Sequence, residues 1–499
     1  MTRQLVALTP LRVEADAVQR GAPAAEVLTT GMGPERARRA AFNLAARCAG
    51  APAVAVAGFC GGADARVSPG DVVVASEVRG PLGPVPLAGS GLLAAALRRA
   101  GLQVREGPLV STDQIVRGPR RRDLAADGAV AVDMESAWLV EAAPSRPRAV
   151  VRVVVDTPAR ELPSWSTLPD GVRAYRALRR AAGVLELWSR ATSPRDVLLA
   201  GPRSFCAGVD RAIDIVDRAL DRFGAPVHVR RQIVHNRHVV DDLAARGAVF
   251  VDELDEVPDG ATVVFSAHGV SPGVRAEADR RGLHVIDATC PLVAKVHAEV
   301  RRFARQGRSL VLIGHPGHDE TEGTLGEADG IRVVTTADDV DRIEVDDPSK
   351  VAYITQTTLA VDEVAGIVER LERRFPDLVG PAADDICYAS QNRQDAVRAI
   401  ARDCDLLLVV GSSNSSNSNR LVEVAQGEGC AAELVEDASG IQLEWLVGAR
   451  TVGVTAGASA PEHLVQGVVD ALAALGPVSV TERPVTSEAT HFALPVEVR

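Results

Sequence analysis

The chain has 499 residues, 46% of them hydrophobic, and a formal net charge of −11. No apolar run approaches the ~18 residues a membrane helix needs, which excludes a membrane-spanning helical protein. Residues 1–195 carry 26 Arg against 18 Asp and Glu, and the remainder 29 basic against 48 acidic residues. The arginines of the first part lie scattered over helix-like faces with few aromatics, apart from the short run Arg120 to Arg122, so they read as solvated surface and not as a nucleic-acid footprint. At roughly 150 residues per domain the length allows about three units. Seven cysteines, an odd number at irregular spacing, fit the reducing cytoplasm better than a disulfide framework.

MTRQLVALTP reads as a first strand and not as a signal peptide. EVLTT and the turn Gly31-Met32-Gly33 then open the helix-like PERARRAAFNLAAR. A glycine-rich strand end follows at Gly58, Gly61 and Gly62, in AVAVAGFCGGADARVSPGDVVVAS. STDQIV, VAVDMESAWL with Asp133, Met134 and Glu135, and VRVVVDTPAR with Asp156 complete this part. Helix-like sequence over 171–191 gives way to Thr192-Ser193-Pro194-Arg195 and a new apolar strand. Pro194 disfavours helix at Ser193, so a domain boundary is expected at 193–195, dividing the chain into 1–192 and 196–499. Both sides alternate short strands with amphipathic helices, the pattern of α/β architecture with mostly parallel sheets, whose sites lie at the carboxyl ends of strands.

Beyond the boundary, three cysteines stand in three separate segments, each reading as a strand and a turn before a helix. They are Cys206 in GPRSFCAGVDRAI, Cys290 in VIDATCPLVAKVH and Cys387 in DDICYASQNRQ. Their neighbours are polar turn-formers, where a merely buried thiol would have apolar ones. Three such ligands suit a cubane iron–sulfur cluster with one iron left open for substrate. Cys48, Cys60, Cys404 and Cys430 read as small core residues. Other strand ends carry His235, His268, His315, His318, Glu320, Thr357, Thr358, Ser415, Ser416, Asn417, Asn419 and Ser459. With only two lysines in the chain, Lys295 and Lys350, imidazole, hydroxyl, amide and helix N-terminal donors are what would bind a diphosphate. SSNSSNSNR, flanked by an apolar strand and a helix-like stretch, suits an anion-binding turn better than a linker. Glu320 is a candidate proton donor with Thr357 as relay, since exclusion of water raises a carboxyl pKa.

From about Asp196 to Leu494 the chain closely resembles the 4-hydroxy-3-methylbut-2-enyl diphosphate reductases. PRSFCAGVDRAI, IVHNR, FSAHGVS, DATCPLV, GHPGHDETEGT, TQTTL, DDICYAS, NSSNSNRL and VTAGASAP occur in family order. The resemblance implies a three-lobed α/β fold, with pseudo-threefold arrangement around a [4Fe-4S] cluster on Cys206, Cys290 and Cys387. It further implies diphosphate contacts from His235, His268, His318, Ser415, Ser416, Asn417 and Ser459, and catalysis by Glu320, Thr357 and His318. The implied reaction is reductive dehydroxylation of the allylic diphosphate, fed by an electron donor such as ferredoxin or flavodoxin.

Residues 1 to about 190 resemble the nucleoside phosphorylase and nucleosidase superfamily, through AGFCGG…PGDVV, STDQI, DMES and VVD. The nearest pattern is that of nucleosidases of 5′-modified adenosines, such as the one acting on adenosylhopane. That resemblance implies that Asp156 binds or protonates the purine, Glu135 holds ribose hydroxyls, Met134 packs on the sugar and Glu14 orients water. Val155 stands where many relatives carry serine. Because hopanoids are built from isoprenoid diphosphates, the pairing implies a link between precursor supply and lipid tailoring. The alternatives are a phosphorolytic enzyme or an inactive nucleotide-binding or oligomerisation module for the first part, and a redox sensor for the second.

Overall fold

The computed structural model describes residues 5–63, 66–161 and 167–499. The residues MTRQ of the expected first strand, and Asp64 and Ala65 of the glycine-rich segment, lie outside them. By compactness the chain forms two units: Met1–Val197, Asp437–Val452 and Gln466–Val480 make the first, and Leu198–Glu436, Gly453–Val465 and Thr481–Arg499 the second.

The first unit is built on an eight-stranded sheet. Its order runs Glu26–Thr29, Leu5–Thr9, Ala53–Gly62, Ala131–Asp133, Val104–Ser111, Val72–Gly80 and Gly83–Pro86, with Arg148–Asp156 pairing both Ala53–Gly62 and Val72–Gly80. The sheet is mostly parallel, as expected, with some antiparallel pairings: Arg148–Asp156 runs parallel to Ala53–Gly62 and antiparallel to Val72–Gly80. Ala53–Gly62 is covered on both faces, and its first six residues are all buried, as a continuous Ala/Val run requires. It therefore delivers Gly58 and Gly61 at its carboxyl end to the middle of the unit.

The remaining strands form three smaller sheets. One has the order Ala248–Val251, Val227–Arg230, Thr262–Phe265, His284–Asp287; another Arg332–Val334, Ser309–Ile313, Val351–Thr355. The third runs Ala431–Val435, Leu406–Val410, Thr451–Ala456, Arg195–Gly201, Val478–Pro484. The first two are parallel throughout.

The hydrophobic cores show how the three are joined. Strand Arg195–Gly201 of the five-stranded sheet leads to helix Ala207–Phe223, whose Ala212, Ile215 and Val216 pack with Val227, Val264 and Ile286 of the four-stranded sheet. That sheet's last strand, His284–Asp287, leads to helix Pro291–Arg305, whose Val296, Val300 and Phe303 pack with Leu310, Leu312 and Ile354 of the three-stranded sheet. Helix Tyr388–Ala401 closes the cycle, packing Ala396, Val397 and Ile400 on Leu198, Leu407 and Val409 of the five-stranded sheet. Each lobe hands its chain to the next at a helix start.

Candidate active sites

A cysteine stands at every one of those hand-overs. Cys206, Cys290 and Cys387 are the N-caps of the three helices, all in extended or turn backbone, and none is in a disulfide. Placing a sulfur at a helix N-terminus gives it the positive end of the helix dipole. Burial acts the other way and dominates, pushing the Cys290 thiol up to about 11 and Cys387 to about 12. A cation bound to the sulfurs would reverse this balance. All three line one cavity. Gly208 leaves room for the sulfurs: a Cβ there would lie 2.8 Å from Cys290 Sγ and 3.8 Å from Cys206 Sγ. One expectation needs correction. No strand precedes Cys387; it follows a loop tied by Cys387 N–H to Thr357 O at 2.8 Å and by Thr355 N–H to Asp385 Oδ2 at 3.1 Å.

The same cavity gathers the strand-end polar residues. His235 and His268 stack with ring centroids 4.1 Å apart, and His318 meets them edge-on at 5.3 and 5.9 Å. Burial holds all three imidazoles below their ordinary value, His318 at about 4, so they are neutral near pH 7. Ser415 caps helix Ser416–Gly427 and accepts from Ser418 N–H at 3.3 Å. This makes SSNSSNSNR a strand-to-helix turn. Asn417 is held by Ser390 and by Ala458 N–H, and Ser459 Oγ donates to His235 O at 3.0 Å. Ser416 reaches the cavity through a chain in which Gln356 donates to Thr358 and Thr358 to Ser416.

Glu320 is 3% exposed and faces the same space. Its carboxyl accepts from Thr357 N–H at 2.7 Å and Thr357 Oγ1 at 3.1 Å, bonds that favour the ionised form. Burial outweighs them and brings the group up to about 7. A carboxyl there exists in both protonation states at neutral pH, which suits a proton donor.

The first unit holds a second cavity, of about 410 Å³, lined among others by Glu14, Met32, Arg121, Met134, Glu135 and Asp156. It is built from buried charges. Arg152, fully buried, lies 2.7 Å from Asp133 and 3.9 Å from Glu135. Glu14, at the third position of helix Arg12–Gly21, accepts from Leu11 N–H at 2.7 Å and Phe59 N–H at 2.6 Å. Its carboxyl is raised to about 6, by burial first and against the pull of Arg152. Glu135 accepts from Gly33 N–H at 2.8 Å. Gly31 and Gly33 take φ of +86° and +94°, so this turn needs glycine for its backbone. Gly58 and Gly61 need it for space. A Cβ at Gly58 would lie 2.5 Å from Arg152 Nη1, and one at Gly61 2.6 Å from Arg121 Nη2.

Apart from His315 and Asn419, which line a separate pocket, the site residues expected from sequence fall in two cavities, one in each unit. Several neighbours went unmarked. Arg121, expected on a solvated surface, is 2% exposed and pairs with Asp156 at 2.9 Å. Arg152, likewise unmarked, anchors the charge network through Asp133 of the DMES segment. Arg231, at φ +57°, pairs with Asp319, which lies 3.9 Å from both His235 and His268. The only signal in sequence for Asp319 was its place between His318 and Glu320. Cys48 and Cys60 lie in the core of the first unit, and Cys404 and Cys430 in or against that of the five-stranded lobe.

Residues 197–473 match the family model of the LytB protein, and residues 24–186 that of the Phosphorylase superfamily. The chain is 61% identical over 305 residues to a 4-hydroxy-3-methylbut-2-enyl diphosphate reductase of Azoarcus sp. (strain BH72), covering 61% of this chain and 98% of that protein. The solved E-1-hydroxy-2-methyl-but-2-enyl-4-diphosphate reductase from Plasmodium falciparum matches with TM-score 0.59 and 37% identity, over 61% of this chain and 97% of its own. A solved 5′-methylthioadenosine/S-adenosyl homocysteine nucleosidase from Helicobacter pylori matches 37% of this chain and 97% of its own, at 16% identity and TM-score 0.32. No described helix is long and apolar enough to cross a membrane.

Proposed function

This chain belongs to the LytB protein family and carries a phosphorylase-superfamily domain ahead of that match, and from that premise we propose a bifunctional enzyme with its domain boundary at 193–195. The C-terminal part reduces 4-hydroxy-3-methylbut-2-enyl diphosphate to isopentenyl and dimethylallyl diphosphates. The N-terminal part hydrolyses a 5′-modified adenosine and releases adenine. The observation that carries the first reading is the convergence of three helix-capping cysteines, three neutral histidines and a Glu320 near pKa 7 on one cavity.

Cys206, Cys290 and Cys387 would hold a [4Fe-4S] cluster, and their fit rests on the shared cavity, the room left by Gly208 and the absence of any disulfide. When bound, such a cluster supplies one-electron transfer and a Lewis-acidic iron. The rest of the work falls to the protein. His235, His268 and His318 with Ser415, Ser416, Asn417 and Ser459 bind the diphosphate through neutral donors. Dehydroxylation consumes two electrons and two protons: one proton leaves with the hydroxyl as water and the other ends on an allylic carbon. Glu320 holds such a proton, and Thr357 Oγ1, 3.1 Å from its carboxyl, is placed to accept it and pass its own on. A small electron-transfer protein such as ferredoxin or flavodoxin supplies the electrons.

In the N-terminal cavity Asp156 binds the purine, Glu135 holds ribose hydroxyls, Met134 packs on the sugar and Glu14 takes a proton from water. Anaerobic purification with iron and sulfide counting, followed by assay with a chemical reductant, tests the first activity. Chromatography of adenine from 5′-substituted adenosines, adenosylhopane included, tests the second. A chain that carries the cluster yet leaves the allylic diphosphate unconsumed would overturn the reductase reading in favour of a sensor.

A further inference from the structure

Arg121 enters the N-terminal cavity from helix Gly118–Ala126, in the middle of a run of three arginines. Its side chain is 3% exposed, and Nη2 donates to Asp156 Oδ2 at 2.9 Å. Nε and Nη1 are buried and have no partner among the described residues. A guanidinium carries five donors in a rigid fork, and leaving them desolvated and unpaired is unfavourable unless a ligand supplies acceptors. The pair, joined by that one contact, lies against the carboxyl end of strand Ala53–Gly62. Gly61 has no room for a Cβ, which would lie 2.6 Å from Arg121 Nη2 and 2.9 Å from Asp156 Oδ1. Val155, which also lines the cavity, brings no hydroxyl, and among the described residues Arg121 is the side chain that donates to Asp156.

A carboxylate acceptor next to a guanidinium donor is complementary to one edge of one kind of purine. Adenine presents an acceptor at N7 beside a donor at its 6-amino group, whereas a 6-oxopurine presents two acceptors there. Resting on the reading of this cavity as a nucleosidase site, we propose that Arg121 donates to N7 of the leaving adenine while Asp156 accepts from its 6-amino group. The carboxylate oxygen nearest the guanidinium is already an acceptor, so the charge-assisted donor to the base is the arginine. In hydrolysis the C1′–N9 bond breaks with its electron pair passing to the base, and water oxygen bonds to C1′. Water's proton goes to Glu14 and ends on adenine through solvent. The fixed positive charge of Arg121 stabilises the electron pair as it moves onto the ring.

Equilibrium binding of adenine, 7-deazaadenine and hypoxanthine to the full-length chain and to its Arg121→Met variant tests this. The wild-type chain is expected to bind adenine about tenfold to a hundredfold more tightly than 7-deazaadenine, which lacks the N7 acceptor, as for a hydrogen bond to a charged group. Hypoxanthine should also bind more weakly, and Arg121→Met should level adenine with 7-deazaadenine. Equal binding of those two by wild type, or a preference that survives in Arg121→Met, overturns the role of Arg121 and leaves the adenine-releasing reading standing. A wild-type chain that neither binds adenine nor releases it from any 5′-substituted adenosine overturns that reading and the inference with it. Should thermal melting show that Arg121→Met does not fold, a crystal structure of wild type with adenine decides. A guanidinium nitrogen within about 3.2 Å of N7 supports the proposal, and N7 against Asp156 alone overturns it.

Discussion

The two cavities differ in what stands beside their buried carboxyls. In the second unit the ionisable groups near the cysteines are pushed toward neutrality: three imidazoles lose their proton and Glu320 tends to keep one. In the first unit burial still raises Glu14 and Glu135, but Arg152 is buried against Asp133, Glu135 and Glu14, and Arg121 against Asp156, so opposite charges lie side by side. The difference follows from the chemistry proposed for each. A diphosphate brings its own negative charge, and neutral donors bind it without a buried lysine to desolvate. A sugar that becomes cationic in the transition state is better served by carboxylates already held in place by arginine.

The largest test of this contrast removes a cysteine. Cys290→Ser should abolish cluster retention and reductase turnover while leaving adenine release within about twofold of wild type, as read by iron counting and parallel assays. Glu320→Gln is the next largest: retained iron with kcat lowered about 10²- to 10⁴-fold, the span of a lost general acid. Undiminished turnover in this variant would assign the proton to another group.

The two activities should also fall off in opposite pH directions. Reduction needs Glu320 protonated, so it declines as pH rises through about 7. Adenine release needs Glu14 ionised, so it declines as pH falls through about 6. Both carboxyls are raised above the ordinary 4.5 by burial. Each therefore contributes stability that is full below about pH 4.5 and lost as pH rises through its folded value. Parallel pH profiles for the two reactions would remove the proposed roles of these carboxyls.

The smallest expected effect is steric. Gly58→Ala places a methyl 2.5 Å from the buried Arg152 Nη1, and should lower the stability of the first unit by about 1–3 kcal/mol. Calorimetry on the full chain would resolve this from the melting of the second unit.

Sequence alone singled out as candidates the three cysteines, His235, His268 and His318, Glu320, the serine-asparagine turn and the carboxylates of DMES and VVD, which line the two cavities. In α/β folds polar residues at strand ends lie where sites form, so local pattern and site coincide. Helix Thr167–Ala191 and the strand that begins at Arg195 were legible for the same local reason, with Pro194 between them. Only the tertiary structure decided which residues meet. That Arg121 pairs with Asp156, 35 residues away, depends on which strands neighbour one another and on the space above Gly61. The stacking of His235 on His268 and the cyclic hand-over of the three lobes depend likewise on packing between separate segments. Spacing along the chain records which side chains an element presents; burial and charge compensation, which decide their protonation, arise only where elements come together.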